Sequence, residues 1–249
     1  MDYLPSIHIT RILSHIQPSN VLKLNIQHLA ADALRPGSIL SAASRFSDAM
    51  ENVTKLRLDT EWVTVHKRLR LVGMGRSSFR LPWSADIHEI ATNQYMAALI
   101  GLLTACNIKE LWVGEDGVVA REELWQRIFF ALPSLKKLVL GPWSSYSVGL
   151  LSALYSRDES VGLALPCPAL RELVILGQIE EPGFMEGVYN LLVQRRTRGF
   201  PISRVSLCRK PSPRTSLKDG RPDYVETFRE VVQDVRFEIA DHYPEMTRS

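Results

Sequence analysis

One spacing of apolar residues recurs along the chain: apolar, two residues, apolar, one residue, apolar. It occurs as Val21/Leu24/Ile26, Val53/Leu56/Leu58, Ile108/Leu111/Val113, Leu135/Leu138/Leu140, Leu170/Leu173/Ile175, Ile202/Val205/Leu207 and Val232/Val235/Phe237. The centres lie about 30 residues apart, with one gap nearly twice as long between Leu56 and Leu111. The last two apolar residues of each copy alternate with polar or small ones, the period of a strand with one buried face. Between copies the period changes to that of a helix. Ile39, Ala43, Phe46 and Met50 share one helical face, as do Met96, Leu99, Ile100 and Leu103. So do Leu124, Ile128, Phe129 and Leu132, then Val148, Leu151 and Leu154, then Phe184, Val188, Leu191 and Leu192. Asp86-Ile87-His88-Glu89 resembles a capping box, and Pro182 suits a first helical position. Leu132-Pro133-Ser134 and Gly199-Phe200-Pro201 mark returns from helix to strand.

A strand followed by a helix cannot bury its apolar faces alone, so such units stack. The predicted fold is α/β: a leucine-rich-repeat-like, right-handed βα solenoid in which a curved parallel sheet is backed by helices. It is expected to run over residues 1–249 as a single array of about seven units. A doubly wound sheet also alternates strands and helices, but the in-register leucine signature favours the solenoid. Two segments break the rhythm. Residues 62–83 read as a β-hairpin with a tip rich in glycine (Gly73, Gly75), inserted in the long gap and projecting from the array. Residues 209–222 carry Arg209, Lys210, Arg214, Lys218 and Arg221 against Asp219, with Pro211 and Pro213, which reads as a solvated basic loop.

Residues flanking each strand centre are expected to point away from the core. The column before the centre runs Lys55, Glu110, Lys137, Glu172, Arg204, Asp234, so its sign alternates at every step. Adjacent parallel strands would place each charge beside an opposite one, which fixes register. The column after the centre runs Arg57, Trp112, Val139, Val174, Ser206, Arg236. An apolar stripe with one tryptophan, flanked by arginines, is the composition of a protein-docking surface, and these six residues are the candidate protein-binding set; the alternative is that Trp112 packs under a loop or against the hairpin.

Composition narrows the class. With 45% hydrophobic and 23% charged residues, wholesale disorder and a fibrous repeat are excluded. A net charge of +3 and a pI near 8.8 fall short of a dedicated nucleic-acid binder. Met1-Asp2-Tyr3-Leu4-Pro5 shows no basic stretch followed by an apolar one. The apolar run from Tyr95 to Cys106 is about half a membrane span and reads as a buried helix. Cys106, Cys167 and Cys208 are odd in number and far apart, as in a reducing compartment. The expected location is therefore intracellular, cytoplasmic or nuclear, without a membrane partner.

No constellation for catalysis assembles. His88-Glu89-Ile90-Ala91-Thr92 begins like a zinc-protease helix, but Thr92 replaces the second histidine. Gly73-x-Gly75-x-x-Ser78 lacks the third glycine of a dinucleotide loop. There is no Gly-x-Ser-x-Gly elbow, Walker-type loop or paired-cysteine zinc pattern, so no catalytic, cofactor or metal residue is assigned and the chain is read as a non-enzyme. Arg195-Arg196-Thr197-Arg198 falls at a helix C-terminus, where cations are stabilised without a ligand. Together with the 209–221 loop it supplies the alternative reading, a nucleic-acid or anionic-surface patch over 195–221, although no interleaved aromatics support base stacking. Ser212 before Pro213 is a candidate phosphorylation site that would offset the basic loop.

Three segments carry a family resemblance. Leu132-Pro133-Ser134-Leu135-Lys136-Lys137-Leu138-Val139-Leu140, the stretch Leu165-Pro166-Cys167-Pro168-Ala169-Leu170-Arg171-Glu172-Leu173, and Leu192-Val193-Gln194-Arg195-Arg196-Thr197 followed by Ile202-Ser203-Arg204-Val205 resemble the C-terminal repeat half of F-box-like proteins abundant in mushroom-forming fungi. The likeness spans roughly residues 50–240. It implies repeats that recruit a target protein, while an N-terminal F-box docks the adaptor of a cullin-type ubiquitin ligase. Leu4-Pro5-Ser6-Ile7-His8-Ile9 echoes the F-box opening, but a repeat strand at Val21 leaves no complete F-box. The asparagine of the repeat turns is replaced by Glu61, Asp116, Trp143, Gln178 and Lys210. The functional expectation is a protein-interaction module, the substrate-recognition region of an F-box-type receptor, or a degenerate repeat protein without ligase function. An adaptor partner is expected only where an F-box is present.

Overall fold

A computed structural model describes residues 23–25, 47–63, 66–83, 100–114, 122–141, 148–155, 165–177, 182–209 and 224–239. The chain is α/β and divides into two compact units, Met1–Ala120 with Arg248–Ser249, and Arg121–Thr247.

In the first unit, β1 (Lys23–Asn25), α1 (Ser47–Met50), β2 (Val53–Val63), β3 (His66–Gly75), β4 (Ser78–Trp83) and β5 (Glu110–Val113) follow in chain order. The strands lie side by side as β1-β4-β3-β2-β5. β2, β3 and β4 form an antiparallel meander, whereas β1 joins β4 and β5 joins β2 in parallel. Residues 100–104 are helical and bury Leu102 and Leu103. Val53, Leu56, Leu58, Ile108, Leu111 and Val113 are at most 1% exposed, and Leu56 stands directly beside Leu111.

The long gap between repeats is filled from within the sheet. The expectation that residues 62–83 project from the array is replaced by β3 and β4 lying between β1 and β2, so Leu24 has Phe79 as its neighbour, not Leu56. The reason is local. β2 runs for 11 residues, far past its apolar triplet, and its tail pairs with β3 through Val63 and His66. Gly73 opposes Phe79 in the register, and a β-carbon on Gly73 would collide with the Phe79 ring. The missing side chain leaves room for that aromatic ring, which buries against the sheet.

In the second unit, α2 (Glu122–Phe130), β6 (Lys137–Leu140), α3 (Val148–Ala153), β7 (Glu172–Leu176), α4 (Pro182–Thr197), β8 (Arg204–Arg209), α5 (Tyr224–Arg229) and β9 (Asp234–Ile239) alternate strictly. The four strands are parallel and keep their sequence order, β6-β7-β8-β9. Leu138, Leu173, Val205 and Val235 pair in one row, as the shared spacing predicts. Leu135, Leu138, Leu140, Leu170, Leu173, Ile175, Ile202, Val205 and Leu207 are all at most 2% exposed. Burying each such side chain contributes about 1.5–3 kcal/mol. α2 packs on α3 and α3 on α4, and the Tyr189 and Phe228 rings stack between α4 and α5 with centroids 6.4 Å apart. Gly187 allows the α3 contact, since a β-carbon there would lie 3.2 Å from Leu151.

Successive strands start by the same backbone chemistry. Leu135 N–H donates to Leu132 O and Leu170 N–H to Cys167 O, each across a turn whose second residue is proline (Pro133, Pro168), pre-set at the required φ. Arg171 and Glu172 then both donate to Lys136 O, and one unit later Ser203 and Arg204 both donate to Arg171 O. α4 ends in a Schellman pair: Gly199, at φ 82°, donates to Arg196 O, and Phe200 donates to Arg195 O.

Candidate interaction surface

The alternating charge column is assembled as the sequence orders it within each unit. In the first, Lys55 Nζ lies 3.9 Å from Glu110 Oε2. In the second, Glu172 reaches Lys137 at 3.3 Å and Arg204 at 3.8 Å, while Arg204 Nε donates to Asp234 Oδ2 at 2.9 Å. Arg236 adds a further bond to Asp234 from the same strand, 3.0 Å away. The Arg236 and Arg204 hydrogen bonds hold the Asp234 carboxyl below its usual range, and Asp234 in turn raises Arg236.

The second column is brought together in register but differs in exposure. Arg57 pairs with Trp112, and Val139, Val174, Ser206 and Arg236 are successive neighbours. Val139 is 1% and Val174 6% exposed, which corrects the expectation of an open apolar stripe. Trp112 is 9% exposed, and its indole N–H donates to Glu110 Oε1 at 2.6 Å, so a charged side chain of the first column fixes the tryptophan of the second. Arg57 and Ser206 are half-buried, and Arg236 is exposed. In the second unit the exposed strand positions are thus mainly charged, Arg204, Arg236 and Glu238 with Asp234 half-buried beside them, and Ile239 at the end of β9 is an exposed apolar side chain.

The basic cluster at the end of α4 has a different role from the one its composition suggests. Arg195 is 0% exposed, and its guanidinium donates to the carbonyls of Leu154, Pro166 and Cys167 at 3.2, 3.0 and 2.9 Å. Burial pulls its pKa down to about 10. Arg198 donates to Tyr155 O, and Arg196 to Glu230 O at 2.6 Å. Leu154 and Tyr155 follow the last turn of α3, and Glu230 follows α5, so the three arginines satisfy carbonyls left over at the C-termini of the two neighbouring helices. Cys167 reaches α2 in the same way, donating its thiol at 3.2 Å to Phe129 O, which also accepts from Leu132 N–H. Arg195 is therefore removed from the alternative phosphate-binding patch. A buried arginine looks like a surface arginine in sequence; the one available signal was its place on the α4 face of Leu191, Leu192 and Val188.

Residues 210–222 with Ser212, the Leu4–Ile9 segment, Asp86–Thr92 and the face of Ile39, Ala43 and Phe46 lie outside the described residues. Among the described residues no group of three or more His, Cys, Asp or Glu side chains is placed to hold a metal ion. None of the described helices is long and apolar enough to cross a membrane. No family model, curated protein or solved structure matches this chain.

Proposed function

We propose that the chain is a non-enzymatic protein-interaction module built as a leucine-rich-repeat-like βα solenoid. The observation that carries this reading is the order β6-β7-β8-β9, parallel, sequential and in one register, with consecutive helices packed on one another. A doubly wound sheet binds its ligand where the strand order reverses, and among these four strands there is no reversal. A repeat sheet instead offers its side-chain columns to a macromolecule. The recognition surface is the charged end of the second unit: Arg204, Asp234 and Arg236, adjoining Ser206. The likeness to fungal F-box-like repeats makes target recruitment for a ubiquitin ligase the specific form of the proposal.

Quantitative capture from cell lysate, wild type against Arg204→Glu, tests it. The expected result is a reproducible, saturable protein partner that the variant loses at unchanged circular dichroism. Absence of a partner, or its equal retention by the variant, overturns the reading. Co-purification of a cullin-ligase adaptor tests the specific form.

A further inference from the structure

We infer that β9 is a self-association edge, through which two copies of this chain pair antiparallel across a two-fold axis. β9 ends the strand order, and among the described residues it pairs with β8 alone. Asp234 N–H donates to Ser203 O, so the main-chain groups of Asp234, Arg236 and Glu238 face β8. Those of Val235, Phe237 and Ile239 therefore face the open edge. Ile239 is 56% exposed, while Val235 and Phe237, the last members of the apolar columns, are half-buried where their counterparts on β7 and β8 are fully covered.

The sequence of the strand is complementary to itself in reverse. Centring the pairing on Phe237 sets Phe237 beside Phe237 of the second copy, and Val235 beside its Ile239, all with outward-facing main-chain groups. On the other face the same register places Arg236 beside Glu238 of the second copy, twice by symmetry. Sliding by two residues, to centre on Arg236, opposes arginine to arginine and Asp234 to Glu238, so like charges reject it. Sliding by one sets outward-facing groups against inward-facing ones and forms no ladder. Centring on Val235 keeps Asp234 beside Arg236 but strands Phe237 opposite Gln233, so the apolar match is lost. A six-residue edge buries less surface than a permanent dimer interface, so the association is reversible and of roughly micromolar strength or weaker. This inference does not rest on the interaction-module reading, since it needs only the β9 edge.

Sedimentation velocity of the full chain over a concentration series tests it. The wild type is expected to pass from monomer to dimer. Arg236→Glu and Glu238→Arg are each expected to weaken dimerisation by about tenfold or more. An equimolar mixture of the two variants is expected to dimerise again, because every charge across the pairing is then opposite. Ile239→Lys, at a position outside the core, is the variant whose folding is secure, and it is expected to weaken the dimer as well. A wild type monomeric throughout, a mixture that fails to associate, or an Ile239→Lys chain that dimerises like the wild type overturns the inference.

Discussion

The Arg195 guanidinium and the Cys167 carbonyl, 2.9 Å apart, join the end of α4 to the turn that opens β7. Cys167 sits at φ 47°, a left-handed conformation that a residue with a β-carbon adopts at a cost. In that conformation its carbonyl points to Arg195, its thiol donates to Phe129 O, and the carbonyls of Pro166 and Leu154 converge on the same guanidinium. One arginine thereby satisfies three inward-facing carbonyls from two neighbouring connections.

Replacing Arg195 by methionine fills part of the space but takes their Arg195 donor from the buried Leu154 and Pro166 carbonyls and leaves Cys167 O with only its Leu170 N–H bond. The expected loss is about 3 kcal/mol or more of unfolding free energy, read from urea denaturation. Arg195→Lys is not expected to restore it, since a single ammonium cannot reproduce the planar fork that reaches three acceptors. Equal stability of Arg195→Met and the wild type would show that these bonds contribute nothing net.

Glu172 stands between Lys137 and Arg204, and its reversal to lysine produces three adjacent cations. These groups are partly exposed, so each attraction is worth only about 0.2–1 kcal/mol, and reversal is expected to cost roughly 1–2 kcal/mol. Glu172→Gln, which removes attraction without adding repulsion, is expected to cost about half as much. Chemical denaturation in urea at low salt and at about 1 M salt checks this, because screening at the higher concentration is expected to erase most of the difference.

How much of this was legible in the sequence depends on whether a contact is periodic. Leu138, Leu173 and Val205 repeat a spacing, and so does the alternation of Lys137, Glu172, Arg204 and Asp234. Both gave the register of the second unit correctly, because parallel strands pair identical repeat positions. The fate of Arg195 was not legible: its partners are main-chain carbonyls at Leu154, Pro166 and Cys167, and a carbonyl carries no side-chain signature. Nor was the burial of Val139 and Val174 on the column expected to face solvent, since strand period distinguishes the two faces but not what covers them. The place of β3 and β4 was missed for a third reason. Antiparallel strands inside a sheet and a hairpin outside it share the same alternation, and only long-range pairing, here Leu24 with Phe79, separates them.

Asp234 gives the charged end of β9 a pH signature. Its carboxyl is held below the ordinary range by hydrogen bonds from Arg236 and then Arg204. A carboxyl depressed in the folded state contributes stability above its unfolded pKa and loses it as pH falls through the lower, folded value. The contribution is thus present from about pH 4 upwards and disappears below that. Thermal melts of the wild type and Asp234→Asn across this range are expected to differ at neutral pH and converge in acid. The difference is small, because the group is solvent-exposed. Curves that stay parallel down to about pH 2 would show that neither arginine bond matters in solution.

The thiols are expected to be inert in the folded chain, for one shared cause. Cys167 is fully buried and burial pushes its thiol well up; the Arg195 charge beside it opposes that shift but is the smaller effect. Burial also raises Cys208 and lifts Cys106 to about 12. The attacking species in disulfide exchange is the thiolate, and at about pH 8 a thiol titrating near 12 is ionised on the order of one part in ten thousand. Native protein mixed with an aromatic disulfide reagent at about pH 8 is therefore expected to show no fast phase, Cys106 reacting first and slowly because it is the least covered of the three. Denatured chain is expected to release the full count at once. A fast native phase assigned to Cys167 by peptide mapping would mean that the turn carrying it opens readily. In that case Arg195→Met should accelerate the phase further, because the guanidinium is what holds the turn closed.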